Sequence, residues 1–245
     1  MTDIPDPQLS IVVPVYNERP TILEVLRRVR ELPIAKEIIV VDNCSTDGTR
    51  EVLQGLQYND VRVVLQPSNL MKGNSVRRGI ALAQGQYVVV QDGDLEYDPN
   101  DLVKLLETIQ QEGVLAVFGS RVLGAQERGE AMKRTMFRVG GKLVNLFFQW
   151  LFKSKLTDIA SCYKMAPREV LQRLELCCNG FDLDFETAAK LEMEARRRGL
   201  MIVEVPIHYN PRTVAEGKKI RWQDGWRAIV ALWRTRWGRQ KPCRS

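Results

Sequence analysis

Asp92, Gly93 and Asp94 carry the clearest chemistry in this chain. Two carboxylates separated by one small residue, placed where an apolar run breaks, can converge on one divalent cation. Hard oxygen donors suit Mg²⁺ or Mn²⁺, ions that usually share their coordination shell with phosphates and water. Glu96, two residues further on, offers a third oxygen donor. Asp and Gly also gather in turns for purely local reasons, so the triplet alone equally describes an acidic turn. Other chemistries have less to work with. His208 is the only histidine, and its strand-end position favours a packing role; without it no Ser-His-Asp arrangement can be built. The five cysteines are odd in number and scattered, without metal-ligand spacing. They read as reduced thiols, and no zinc site is expected.

The elements around Asp92 place it at a sheet edge. LSIVVPV (9–15), EIIVVD (37–42), VRVVLQ (61–66), QYVVVQD (86–92) and VLAVFGS (114–120) are short apolar, β-branched runs. Helical patterns separate them at 21–32, after TDGT, at 73–84 and at 98–111, the last with Pro99 near its first turn. Continuous apolar strands alternating with helices predict an α/β fold, a mostly parallel Rossmann-like sheet covered on both faces. Ligands of such sheets bind at the carboxyl ends of the strands. Tyr16-Asn17-Glu18, Asp42 and Asp92-Gly93-Asp94 each follow a strand directly and so share one mouth. The second half predicts a very apolar helix over 132–152, a strand at 161–165, and a helix from Pro167. A helix at 184–198, a strand at 200–206, a basic loop and a Trp-rich helix follow.

The order of motifs is more specific than any one of them. VVPVYNE, VVDNCSTDGT, a Lys-Gly pair opening the third helix, and QDGDLEYDP come in sequence. GSR (119–121), TDIASCYK (157–164), GFDLDFE (180–186) and EVPIHYNPRTVAEGKKIRWQDG (204–225) follow. Together they resemble the family 2 glycosyltransferases with a GT-A fold, closest to the dolichol-phosphate-mannose-synthase-like branch. The resemblance covers nearly the whole chain. It implies one domain over 1–245: a nucleotide-sugar-binding half (1–120), an acceptor half (121–222) and an amphipathic C-terminal helix and tail (223–245).

The resemblance also implies roles. Pro14, Tyr16 and Glu18 line the nucleotide pocket, and Asp42 accepts a hydrogen bond from the base. Asp92 and Asp94 hold the metal on the pyrophosphate beside Gly93, with Glu96 as a further ligand. Lys72 belongs to the donor site. Arg121 faces the reacting phosphate, and Arg212 and Lys218 close over the donor phosphates on a loop. A forked Arg and a point-charge Lys suit a pyrophosphate, although a solvated basic loop has the same composition. Asn43 stands where the family usually has an acidic residue, Met71 where it has glycine, and Gly93 where it has alanine. The implied reaction is inverting: an acceptor oxygen attacks the anomeric carbon and a nucleoside diphosphate leaves. A hydroxyl acceptor needs a base, for which Asp158, Asp182 and Asp184 are candidates. A lipid phosphate is already ionised and needs cations instead. Asp182 and Asp184 equally suit helix capping.

The formal net charge of +6 fits a partner that carries phosphate. No recognisable module supports nucleic acid as that partner. No apolar run approaches the roughly 20 residues of a spanning helix, and MTDIPDPQLS lacks the features of a signal peptide. The expected location is cytoplasmic, peripheral at the cytoplasmic membrane face. Trp222, Trp226, Ile229, Val230, Trp233 and Trp237 form a helical stripe with arginines beside it. Such a helix lies in a membrane interface or packs on the protein's own core. In the 134–152 helix Arg134, Arg138, Lys142, Asn145 and Gln149 recur on one edge of an otherwise apolar surface. Arg134, with Arg138, is expected to join Arg121 on a lipid phosphate, unless the helix is a core element with a solvated edge. Three functions stay open. One is transfer of a sugar from a UDP- or GDP-sugar to a polyprenyl phosphate. The second is soluble glycosylation of a glycan, protein or small-molecule hydroxyl, and the third is non-catalytic nucleotide-sugar binding.

Overall fold

The computed structural model describes residues 7–130, 136–212 and 222–238. In chain order the elements are β1 (Leu9–Val15), α1 (Ile22–Arg30), β2 (Lys36–Asp42), α2 (Thr49–Gln54), β3 (Val61–Leu65), α3 (Met71–Leu82), β4 (Tyr87–Val90) and α4 (Asp101–Ile109). They continue with β5 (Val114–Ser120), α5 (Arg121–Glu127), α6 (Met136–Phe152), β6 (Lys164–Pro167), α7 (Arg168–Arg173), α8 (Leu183–Arg198), β7 (Met201–Pro206) and α9 (Trp222–Trp237). The strands form one sheet in the order β3-β2-β1-β4-β6-β5-β7. β3, β2, β1 and β4 run parallel, as do β5 and β7, while β6 is antiparallel to both its neighbours.

Side chains alternate along each strand, so the apolar runs feed two cores. Val12, Ile39, Val41, Val88 and Val90 enter one, beneath α3, α6, α8 and α9. Ile11, Val13, Ile38, Val40 and Val89 enter the other, beneath α1 and α4. Helix α1 shows what holds the layers. Its buried Ile22, Val25, Leu26 and Val29 contribute about 1.5–3 kcal/mol each. Its Glu24–Arg27 and Glu24–Arg28 pairs lie on the surface, where solvent screens them. Register puts Val15 beside Asp42 and Val12 beside Val90, which aligns the ends of β1, β2 and β4 at one edge.

Several local expectations shift. The 161–165 strand begins at Lys164, because the buried Ser161 and Cys162 lie in a turn where the Lys164 N–H donates to the Cys162 carbonyl at 2.9 Å. Helix α5 was not expected. It starts directly after β5, where the Ser120 hydroxyl accepts from the Leu123 N–H at 3.1 Å, an N-cap readable in GSR. On α6, Asn145 and Gln149, which share the polar edge of the helix in sequence, face a loop of the protein itself. Both side-chain amides donate to the Leu156 carbonyl, at 3.0 and 2.8 Å, and Asn145 accepts from the Ile159 N–H. A polar residue at helical spacing can serve a buried loop as well as solvent. On α9 the core face is Ala228, Ala231 and Leu232, and Trp226, Trp233 and Trp237 stay outside. His208 does not pack: its ring is 63% exposed and Nδ1 lies 2.9 Å from Asp101 Oδ1. Cys44, Cys162 and Cys178 are free thiols, whereas Cys177 is disulfide-bonded, against the expectation of reduced thiols throughout.

Candidate functional site

The loop after β4 carries Asp92, Gly93 and Asp94 to the mouth between β4 and β1. A side chain at position 93 would place its first carbon 3.2 Å from Val15 Cγ2, so the residue between the carboxylates must be small. The loop rests on a buried support, in which the Tyr163 hydroxyl donates to Gln91 Oε1 at 2.5 Å and lies 3.1 Å from the Asp98 carbonyl oxygen.

Each aspartate faces a protein cation. Lys72 Nζ is 2.7 Å from Asp92 Oδ1 and 3.7 Å from Asp184 Oδ2. Burial opposes charge on Lys72, but Asp92 and Asp184 outweigh it and raise its pKa, so the ammonium persists. Lys164, unremarked in the sequence although it stands in TDIASCYK, is buried with its Nζ 3.8 Å from Asp184 Oδ1. There burial outweighs the carboxylate and lowers the pKa. Asp184 is therefore no cap. Asp182 holds the cap position of α8, makes no side-chain cap bond, and accepts from the Gly180 N–H instead.

Asp94 pairs with Arg212 Nη2, and the same guanidinium donates to both oxygens of Glu18 at 3.0 and 3.1 Å. The Asp94 carboxyl is pushed up to about 6, first by burial and then by Asp92, against the pull of Arg212. Thr21 ties this group together, its hydroxyl lying 2.9 Å from the Gly93 carbonyl and 3.2 Å from Glu18 Oε2. Glu96 does not stand free as a third ligand. Its carboxylate accepts the Tyr209 hydroxyl at 2.9 Å and the Arg212 N–H at 2.7 Å, and its carbonyl accepts the Asn210 N–H at 2.8 Å. It roots the segment that carries Arg212.

Arg121 and Asp158 form a third group. Arg121 Nε and Nη2 each lie 2.7 Å from a different Asp158 oxygen, and the Arg121 backbone N–H donates to Oδ2 at 3.0 Å. Arg121 Nη1 is 3.3 Å from the Tyr97 hydroxyl, and the guanidinium sits 5.0 Å from the Tyr209 ring centroid. A guanidinium has five donors, so two N–H groups remain for a ligand. Burial raises the pKa of Asp158, but Arg121 more than reverses it, and the net shift is downward. Committed to Arg121 at both oxygens, Asp158 is a poor base. Glu204 on β7 accepts the Thr157 and Asp158 N–H groups at 2.7 and 3.0 Å and fixes this loop.

Asp42 ends β2 with no exposed surface. It takes the Arg50 Nε at 2.8 Å and the Ser45 N–H at 3.2 Å, so in this conformation it braces the pocket wall rather than offering a free oxygen to a base. Pro14 is buried and Tyr16 half-buried beside it. Arg134 and Lys218 lie outside the described residues, as does the side chain of Arg138. Among the described residues no group of three or more His, Cys, Asp or Glu side chains could by itself hold a metal ion. Two carboxylates at a loop, each already balanced by a cation, do fit an ion whose remaining ligands are phosphate and water.

A model of glycosyl transferase family 2 matches residues 10–175. Glycosyltransferase AglJ of Haloferax volcanii is 35% identical over 83% of this chain, which spans 63% of that protein's length. Polyprenol monophosphomannose synthase of Mycolicibacterium smegmatis is 27% identical over 87% of this chain and 82% of its own. Glucosyl-3-phosphoglycerate synthase from Mycobacterium tuberculosis, solved with Mn²⁺, UDP and its product, superposes with a TM-score of 0.68. It is 21% identical, over 96% of this chain and 81% of its own. That likeness shows the GT-A fold.

Proposed function

The chain belongs to glycosyl transferase family 2, and from that premise we propose that it is an inverting, metal-dependent enzyme moving a sugar from a UDP- or GDP-sugar to a polyprenyl phosphate at the cytoplasmic membrane face. The observation that carries this reading is the convergence of Glu18, Asp92 and Asp94 with Lys72 and Arg212 at the carboxyl ends of β1 and β4. Asp92 and Asp94 would hold a divalent cation, which would supply Lewis-acid stabilisation to a leaving phosphate. Lys72 and Arg212 bring positive charge to where negative charge would develop, which would lower the barrier electrostatically, and Lys218 is assigned the same role. Asp42 and Arg50 shape the nucleotide side of the mouth.

The acceptor side favours a phosphate over a hydroxyl. Asp158 is bound to Arg121, whereas Arg121 keeps two N–H groups for an anion. Asp184 lies between two lysines and helps to place Lys72. Polyprenol monophosphomannose synthase is named for transfer to such a lipid. The membrane assignment draws on two helices that pack on each other, α6 and α9. Leu143, Leu146 and Trp150 on α6 and Trp226, Trp233 and Trp237 on α9 are exposed, Trp150 at 71% and Trp226 at 66%. Trp on an outward face beside arginine suits a helix lying in the headgroup layer. No helix among the described residues is long and apolar enough to cross a membrane. Arg134 is assigned to the lipid phosphate.

The test supplies radiolabelled UDP- and GDP-sugars with Mn²⁺ or Mg²⁺, polyprenyl phosphate in vesicles, and a panel of soluble hydroxyl acceptors. Chelator-sensitive label in the lipid phase, with inverted anomeric configuration, supports the reading. Label found only on soluble acceptors refutes the lipid acceptor, and binding of donor without any turnover refutes the enzyme.

A further inference from the structure

The geometry points to Arg212 as a resident counter-cation: it holds Asp94 and Glu18 together and must leave Asp94 before a divalent cation can take both aspartates. This rests on the donor-site reading above and concerns the order of events there. Asp94 and Glu18 belong to different loops, after β4 and after β1, and one guanidinium fork spans them. A lysine ammonium could approach both carboxylates but lacks the planar fork that gives Glu18 two parallel donors while holding Asp94. The segment bearing Arg212 is rooted from beneath, by Glu96 on the Tyr209 hydroxyl and on the Arg212 and Asn210 N–H groups. Backbone anchoring of this kind leaves the side chain free to turn about a fixed point.

The pose carries a defect. Arg212 Nε is buried and has no hydrogen-bond partner among the described residues. A buried N–H without a partner is costly, so this pose is held by the two carboxylates against an unmet donor. A ligand that takes over the charge on Asp94 removes half of that hold. The guanidinium then becomes available, with its full fork, to the phosphates arriving with the metal. Metal alone and Arg212 are thus competitors, whereas metal with nucleotide and Arg212 are partners.

Two measurements on the full-length protein test this. In the first, Mn²⁺ binding without nucleotide is titrated by electron paramagnetic resonance for the wild type and Arg212→Lys. The variant keeps the positive charge and loses the fork, so a bulk charge effect is absent. The expected result is roughly three- to tenfold tighter binding of Mn²⁺ alone, with weaker binding of UDP in the presence of Mn²⁺. Equal or weaker binding of Mn²⁺ alone overturns the proposal. In the second, the Arg212 Nε–H resonance, assigned by its absence in Arg212→Lys, is followed during Mg²⁺ titration. It should shift or broaden as the ion saturates the site. A resonance unmoved at saturation overturns the latch and leaves the metal site standing. No binding of either ion to the wild type, with or without UDP, overturns the donor-site reading itself.

Discussion

Lys72 Nζ stands 2.7 Å from Asp92 and 3.7 Å from Asp184, joining the loop after β4 to the first turn of α8 through one ammonium. Removing it takes the nearest cation from Asp92 and leaves Asp184 with Lys164 alone among the described residues. Lys72→Met is expected to lower stability by about 1–3 kcal/mol, less than for a fully buried pair because both partners keep some solvent. Mn²⁺ with UDP should restore part of the loss. Thermal unfolding with and without the ligands checks this, and a variant as stable as wild type would mean that Lys72 is not the brace.

Asp92→Asn and Asp94→Asn each delete a ligand charge at a loop while keeping side-chain size. Turnover should fall at least a hundredfold, and the far-ultraviolet circular dichroism should not change. EDTA should abolish wild-type turnover, and added Mn²⁺ should restore it. Full activity in excess chelator would remove the metal from the mechanism.

Metal binding should depend on pH through Asp94. Its carboxyl is pushed up to about 6, chiefly by burial and then by Asp92, so the protonated form is favoured below that pH. A divalent cation needs the ionised form. Mn²⁺ affinity should be level above about pH 7 and fall by up to about tenfold per unit below 6. Titrations from pH 5 to 8 check this, and affinity constant down to pH 5 would contradict it.

Asp158→Asn breaks the fork with Arg121. The expected cost near neutrality is about 3 kcal/mol, because a buried guanidinium loses its partner. Asp158 has a folded pKa below the ordinary carboxylate value, so its contribution is present above the unfolded pKa. The contribution disappears as pH falls through the folded value. Denaturant unfolding at several pH values should show wild type and variant converging in acid and separating as pH rises through about 4.

Trp226, Trp233 and Trp237 are exposed while Ala228, Ala231 and Leu232 of the same helix are buried. Replacing the three tryptophans with glutamine should therefore spare the melting temperature. Co-sedimentation with anionic vesicles should fall severalfold, as interfacial affinity follows buried apolar area. Deleting α9 is a poorer test, since it also uncovers the core under Leu232. Undiminished vesicle binding by a folded triple variant would place the membrane contact elsewhere.

The sheet and its mouth were legible in the residue pattern alone. Strand runs such as LSIVVPV are apolar at all positions but Ser10, and buried throughout, because parallel strands are covered on both faces, and that pattern survives any tertiary detail. The order of motifs placed Asp92, Asp94, Glu18 and Arg212 in one site, as ligand chemistry is written in residue types close to strand ends. The partners of each side chain were set by folding. Lys72 meets Asp92 across 20 positions, Arg212 meets Glu18 across 194, and Asn145 meets the Leu156 carbonyl. Helical spacing ranks residues by face but does not say which face finds the core, so the tryptophans of α9 and the amides of α6 could be read either way. Charge pairing adds the same ambiguity. A carboxylate that reads as a ligand, like Glu96, or as a base, like Asp158, takes its role from the nearest donor, and folding alone brings that donor near.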